Sequence, residues 1–309
     1  MTALEVEEKI NDIWSEKYRP KTLNDLILDK DLKIYFEKII QEQKFPQHIM
    51  LYGSAGVGKG SIINVLVNSI PCTICYIDGS SCNKVENIRE KIIPFAKSGR
   101  IFKNQIKLVI INESDRLTPE AMDALKDILE TGSLTCRFIF ACNRIERMIE
   151  PIKSRCLNFR IKPPIKEICS RVCQILKKED VKFEVDAVVE IVKKKYPDFR
   201  SIWNELQSMI ISMGEINSSF IKGISDEYKV LFDKLFSRNV VGIKEISELL
   251  KKSLYDESIY SELSKYLIQN YNNADAIIIC SEGMYKANTV YDADLNLLST
   301  ILTIKDVLK

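Results

Sequence analysis

An α/β fold on a parallel sheet, followed by two helical domains, is predicted from three observations. Strand-like and helix-like segments alternate through the first 162 residues. One strand runs through a glycine-rich turn straight into a helix. Beyond Pro163-Pro164 only helical periodicity remains. Alternation of this kind reads as parallel strands joined by crossover helices. The expected units are an α/β core over 1–162, a small helical domain over 163–225 and a C-terminal helical domain over 226–309.

Taken in order, helices are expected at 31–43, 59–69, 83–97 and 119–131, and strands at 48–52, 73–77, 107–112 and 136–142. The 48–52 segment is a short apolar run. The 59–69 helix carries Ile62, Ile63, Val65, Leu66 and Val67. At 119–131 the start signals are complete: Thr118 as N-cap, Pro119 in the first turn, then Glu120 near the positive end of the dipole. Met122, Leu125, Ile128 and Leu129 form its apolar stripe. Residues 165–224 read as all-helical, with Ile168, Val172, Ile175 and Leu176 in register and Tyr196-Pro197-Asp198 separating two helices. No proline follows Pro197, and Leu231/Leu235, Ile246/Leu249/Leu250 and Leu295/Leu298/Ile301 indicate about five further helices.

Composition excludes several classes. The 309 residues carry a net charge of only +2, so the whole chain does not advertise nucleic-acid binding. Apolar runs such as Ile277–Cys280 are far too short to span a bilayer, and the acidic N-terminus has no signal-peptide core. A soluble intracellular protein is expected. Nine cysteines, an odd number, are scattered without a disulfide rhythm. Cys72 and Cys75 form a C-x-x-C, but no second pair stands at zinc spacing. His48 is the only histidine; a packing role at the start of its strand is expected, because no hydrolase nucleophile motif accompanies it. Local charge is more informative. Residues 84–107 hold seven basic side chains (Lys84, Arg89, Lys91, Lys97, Arg100, Lys103, Lys107) against Glu86 and Glu90, a patch suited either to phosphates or to a solvated helix face.

The chemistry centres on Gly53-Ser-Ala-Gly56-Val57-Gly58-Lys59-Gly60-Ser61. Glycines let the backbone curl so that its N–H groups face phosphate oxygens, and the following helix N-terminus adds positive potential. Lys59 is placed to reach the outer phosphates. The next position ordinarily carries Ser or Thr, whose hydroxyl binds Mg²⁺; here it is Gly60. The strand ending Asn112-Glu113 ordinarily ends Asp-Glu, the Asp holding Mg²⁺ and the Glu orienting water. Asn112 is a neutral and weaker ligand for a hard cation, while Glu113 is retained. Both magnesium positions are thus altered, and no protein metal ligand is assigned. Asn143 closes the strand at 136–142, where a polar residue can sense the terminal phosphate.

Five segments together resemble one family. Ser154-Arg155-Cys156 resembles the arginine-finger motif of sliding-clamp loaders. Trp14-Ser-Glu-Lys17-Tyr18-Arg19-Pro20 resembles their N-terminal box beside the adenine pocket. Asp78–Cys82 with Ile88-Arg89-Glu90, the P-loop itself, and Phe199-Arg200 at a second-domain sensor position complete the match. The chain is therefore similar to AAA+ clamp-loader small subunits, those of replication factor C and of bacteriophage, over roughly residues 14–210. Within the family, Asn112 and Gly60 look most like the replication factor C subunit with a degenerate ATP site, whereas Pro197-Asp198-Phe199-Arg200 looks more phage-like. Asp127 stands where relatives often place a second basic residue.

The resemblance implies an AAA+ core, a lid at 163–225 and an oligomerising collar at 226–309. It implies ATP as cofactor, held by Tyr18, Arg19, Gly53, Gly56, Val57, Gly58, Lys59, Gly60, Ser61 and Arg200, with Mg²⁺ binding weakened. Glu113 and Asn143 would act in the chain's own site, and Arg155 in trans on a neighbour's nucleotide. Implied partners are sister subunits in a hetero-pentamer, a sliding clamp, and primer–template DNA touched by Lys84 and Arg89. Ile93 and Phe95 are read either as clamp contacts or as core. The implied setting is the nucleus in a cellular eukaryote, otherwise cytoplasm or a viral replication site. A non-catalytic structural subunit, a checkpoint-clamp loader and another AAA+ DNA remodeller remain as alternatives.

Overall fold

The computed structural model describes residues 13–98, 105–131, 136–217, 228–237, 243–252, 259–287 and 292–308. Two compact units divide at residue 216. In the first, a short helix α1 (Trp14–Lys17) precedes α2 (Lys30–Glu42), β1 (His48–Tyr52), α3 (Lys59–Ser69) and β2 (Cys72–Asp78). A helical segment over 85–97 follows, then β3 (Ile106–Asn112), α4 (Pro119–Thr131), β4 (Cys136–Cys142), α5 (Glu150–Lys153) and β5 (Cys156–Arg160). The five strands pair in the order β2-β3-β4-β1-β5, every pair parallel.

The central strands β1, β3 and β4 are near-continuous apolar runs because helices cover both faces of the sheet. Ile49, Met50, Leu51, Leu108, Val109, Phe138 and Phe140 are all fully buried. Met50, Val109, Phe138 and Phe140 pack on one side with the stripe of α4. Ile49, Leu51, Leu108 and Ile139 pack on the other with α2 and α3. His48 is buried in this packing, and its Nδ1 accepts the Phe138 N–H at 3.1 Å. Burial, first, and the nearby Arg137 cation pull its pKa down to about 4.

Three expectations about the α/β core need correction. Residues 156–160 form a fifth strand that sequence reading missed; it pairs with β1 over His48–Tyr52. The 85–97 segment is broken by a π turn over Ile88–Ile92. Lys107 is no part of a surface patch: it is buried, its ammonium donating to the Phe95 and Ser98 carbonyls and lying over the Phe95 ring. It therefore satisfies carbonyls at the end of the 85–97 segment that helix geometry leaves open. Arg100 and Lys103 lie outside the described residues. Ile93 and Phe95 pack against the core cluster, which favours the core reading.

The remainder of the first unit is α6 (Ile165–Lys178), α7 (Val185–Lys195) and α8 (Phe199–Met213). It is not purely helical, since Lys182–Phe183 and Glu215–Ile216 make a two-stranded parallel pair. Asp198 caps α8, its carboxylate accepting from the backbone of Arg200 and Ser201 at 2.9 and 3.2 Å.

The second unit shows a helical stretch at 228–235, then α9 (Ile243–Lys252), α10 (Ile259–Asn270), α11 (Ala274–Ala287) and α12 (Ala293–Val307). That is five helical stretches among the described residues. Its core is built on Phe232, Leu235, Leu263, Leu267, Ile301 and Ile304. Gly283 lets α11 approach α12 closely, because a Cβ there would stand 2.4 Å from Thr300 Oγ1. Asn296 Nδ2 donates to both the Tyr260 hydroxyl (2.7 Å) and the Gly283 carbonyl (2.8 Å), joining α10, α11 and α12.

Candidate functional site

β1 delivers the glycine loop to the carboxyl end of the sheet, where open α/β folds bind ligands. Gly56 and Gly58 hold φ of +70° and +99°, conformations that strain any residue with a Cβ. These turns bring the chain to the N-terminus of α3, a natural seat for anions. The loop lines a cavity of about 350 Å³. Tyr18, Arg19, Gly56, Val57, Gly58, Lys59, Gly60, Ser61, Glu113, Asn143 and Arg200 all border it. Of the expected nucleotide residues only Gly53 lies behind this wall, its N–H bonded to the Cys142 carbonyl at 3.3 Å.

Lys59 is the loop's cation. Its ammonium donates to Gly53 O (2.7 Å), Ser54 O (2.9 Å) and Asn143 Oδ1 (2.7 Å). Burial lowers its pKa, while the nearby Cys142, Asp115 and Glu113 oppose that shift. Asn143, at the end of β4, thus meets the P-loop lysine directly. Asp115, which sequence reading did not single out, fixes it there. The buried Asp115 carboxylate accepts the Asn143 and Arg144 N–H groups, both at 3.2 Å. Its only local signal was an acid two residues past Glu113.

Glu113 sits in a turn with φ +48°, unusual for a residue with a side chain, and Arg116 Nε stands 2.9 Å from its Oε2. Asn112 stands opposite Asp78 in the β2–β3 register, with its side chain close to Tyr76. At position 60 there is no side chain, although a Cβ would meet only Arg19 Nη2, at 3.7 Å. The residues present therefore suit a nucleotide's phosphates. For magnesium, neither position 60 nor position 112 offers the hydroxyl or ionised oxygen that a hard cation prefers.

Lid contacts close the site. The Phe199 N–H donates to the Gly56 carbonyl at 3.1 Å, and Arg171 reaches Asp25 at 3.5 Å. The N-terminal box is bound to the lid as well. Trp14 and Tyr18 pack on Trp203 with ring centroids about 6 Å apart. The Tyr18 hydroxyl donates to Glu179, and Lys17 pairs with the same carboxylate at 2.6 Å.

Three expected residues lie away from the cavity. Arg155 follows α5, half-buried, with Nη1 donating to the Pro151 carbonyl at 2.7 Å. Lys84, at the cap of the 85–97 segment, and Arg89 within it are exposed. The C-x-x-C thiols of β2 point apart, Cys72 toward the Val67 carbonyl and Cys75 toward that of Lys91.

How the strands and loop share the work sets the class. A phosphate loop follows the central β1, and the end of the adjacent β4 supplies a polar residue that touches the loop lysine. Lid helices contact the loop from the other side. That is the layout of an AAA+ P-loop module, and the family model described as "ATPase family associated with various cellular activities (AAA)" matches residues 49–164. Human replication factor C subunit 5 is 33% identical over 67% of this chain, which spans 63% of that protein's length. A probable replication factor C subunit 5 from Dictyostelium discoideum is 30% identical, covering 91% of this chain and 85% of its own. A putative replication factor C small subunit from Acanthamoeba polyphaga mimivirus is 33% identical over 79% and 74%. Among solved structures, the Thermotoga maritima RuvB Holliday junction branch migration motor superposes with a TM-score of 0.54 at 18% identity, over 82% of this chain and 91% of that one; this likeness concerns the fold. The chain belongs to the replication factor C small-subunit family, within the AAA proteins. Among the described residues no helix is long and apolar enough to cross a membrane.

Proposed function

We propose that this chain serves as one subunit of a hetero-pentameric loader that opens a sliding clamp and sets it on primer–template DNA. Its own pocket holds ATP and grips magnesium poorly. The observation that carries this reading is the contrast within one cavity: Lys59, Gly56, Gly58, Glu113 and Asn143 are in place, while positions 60 and 112 carry no suitable metal oxygen. The glycine loop and Lys59 bind the phosphates, Asn143 orients Lys59, and Arg200 enters from the lid. Magnesium, when bound in such sites, neutralises charge on the outer phosphates; this chain's residues offer it little hold. Slow or absent hydrolysis in cis follows.

Arg155 is the residue that serves another site. Its guanidinium, outside this chain's own cavity, supplies positive charge to a neighbour's nucleotide. Arginine fingers contribute about 10³–10⁵ in rate. Lys84 and Arg89 contact DNA phosphates, which give affinity without sequence specificity. Four identical copies of this chain would leave every site defective, so the reading requires competent sister subunits.

Two measurements test this. Arg155→Ala in the reconstituted complex is expected to abolish turnover at one site and clamp deposition; undiminished deposition would refute the role. Native mass spectrometry is expected to show one copy per complex, and four identical copies would refute the hetero-oligomer.

A further inference from the structure

The side chain nearest the missing ligand at position 60 is a cation. Arg19 Nη2 lies 3.7 Å from where a Cβ on Gly60 would stand. Magnesium binds oxygen at about 2.0–2.1 Å, so an ion held by a hydroxyl on that carbon would sit roughly 3 Å from it. The guanidinium therefore stands within reach of the region a metal would neutralise. Arg19 borders the same cavity as Lys59, Asn112 and Glu113.

The second position is uncharged as well. Asn112 stands opposite Asp78 in the sheet register, and both Asn112 and Tyr76 border the cavity. An acid at 112 would have faced a dication. A neutral amide leaves the nearby guanidinium without a competing charge at that position.

Arg19 is also available. Its partner is Glu16, with Nη1 to Oε2 at 3.1 Å, both side chains more than two-fifths exposed. Exposed pairs of this kind are weak and exchange readily for a better anion. A phosphate is a better anion, because the planar guanidinium can donate two parallel hydrogen bonds to it.

We infer that Arg19 takes the electrostatic place of magnesium at this P-loop, so that the pocket is built for a metal-free nucleoside triphosphate. The inference rests on the reading above that the pocket holds a nucleotide. Arg19 neutralises the outer phosphates from one side and Lys59 from the other. A guanidinium supplies no metal-bound water ligand and only a single charge. The pocket therefore retains its nucleotide without turning it over.

Calorimetric titration of the full chain with ATP, in excess EDTA and in excess Mg²⁺, decides the matter. The wild type is expected to bind with affinities within about threefold of each other. Arg19→Ala is expected to lose tenfold or more in EDTA, the scale of a charge-assisted contact, and Arg19→Lys to fall between. Unchanged thermal unfolding of Arg19→Lys serves as the folding control. Arg19→Ala binding as tightly as wild type in EDTA overturns the inference and leaves the nucleotide reading standing. A tenfold or larger gain from Mg²⁺ in the wild type overturns the poor-metal reading itself, and no binding in either buffer overturns the nucleotide reading.

Discussion

Asp198 Oδ1 occupies the space that a side chain on Gly56 would need, 1.7 Å from an ideal Cβ. The lid's capping carboxylate is thus seated directly on the phosphate loop. Gly56 serves two masters, the left-handed turn of the loop and the close approach of the lid. Gly56→Ala should cost about 2 kcal/mol or more, combining backbone strain with displacement of the cap. Asp198→Ala alone should cost about 1 kcal/mol. The two residues share one contact, so the double variant should cost less than the sum. Chemical denaturation of the three variants measures this; simple additivity would show that the clash is relieved elsewhere.

Gly60→Ser should be tolerated. The helix α3 has room at this position, since the added Cβ meets only Arg19 Nη2 in ordinary contact. Removing a first-turn glycine reduces unfolded-chain freedom, so stability should rise by about 0.5 kcal/mol or stay level. A fall of several degrees in melting temperature would contradict the space seen there.

His48 makes stability depend on pH. The imidazole titrates near about 4 in the fold against 6.5 when free. Between those values the unfolded chain binds a proton that the folded chain refuses. Stability contributed here rises with pH through that window, and roughly 3 kcal/mol is lost as pH falls from about 6.5 to about 4. His48→Asn keeps an acceptor for the Phe138 N–H and does not titrate, so its curve should be flatter. Parallel curves for both proteins would assign the acid sensitivity to other groups.

Lys107→Met should cost about 1–3 kcal/mol, because it leaves the Phe95 and Ser98 carbonyls without their donor. Hydrogen exchange should accelerate over 93–98 before the rest of the core responds. Uniform acceleration across the sheet would instead mark a global loss.

Much of this was legible in the chain. Apolar runs placed β1, β3 and β4, and Thr118 and Pro119 marked the start of α4, because those signals are local. β5 escaped because Cys156–Arg160 is an edge strand of mixed burial, without the apolar continuity that marked its neighbours. Lys107 misled for the opposite reason. A charge in an apolar run read as surface, yet β3 lies between two strands and offers no solvent side, so the lysine turned to helix carbonyls. The phosphate loop, Glu113 and Asn143, which border one cavity, were marked as candidates by their spacing. The support beneath them was not: Asp115 holds β4 across 28 positions, and Trp14 meets Trp203 from opposite ends of the unit. Nothing local encodes such pairs.

The Asn296 amide has one more implication. A single side chain grips a phenol on one rod and a carbonyl on a second, while standing on a third. None of those three rods can slide past the others without breaking at least one grip. The tail end of the chain is thus a handle rather than a hinge: leverage applied to any one rod is felt by all three.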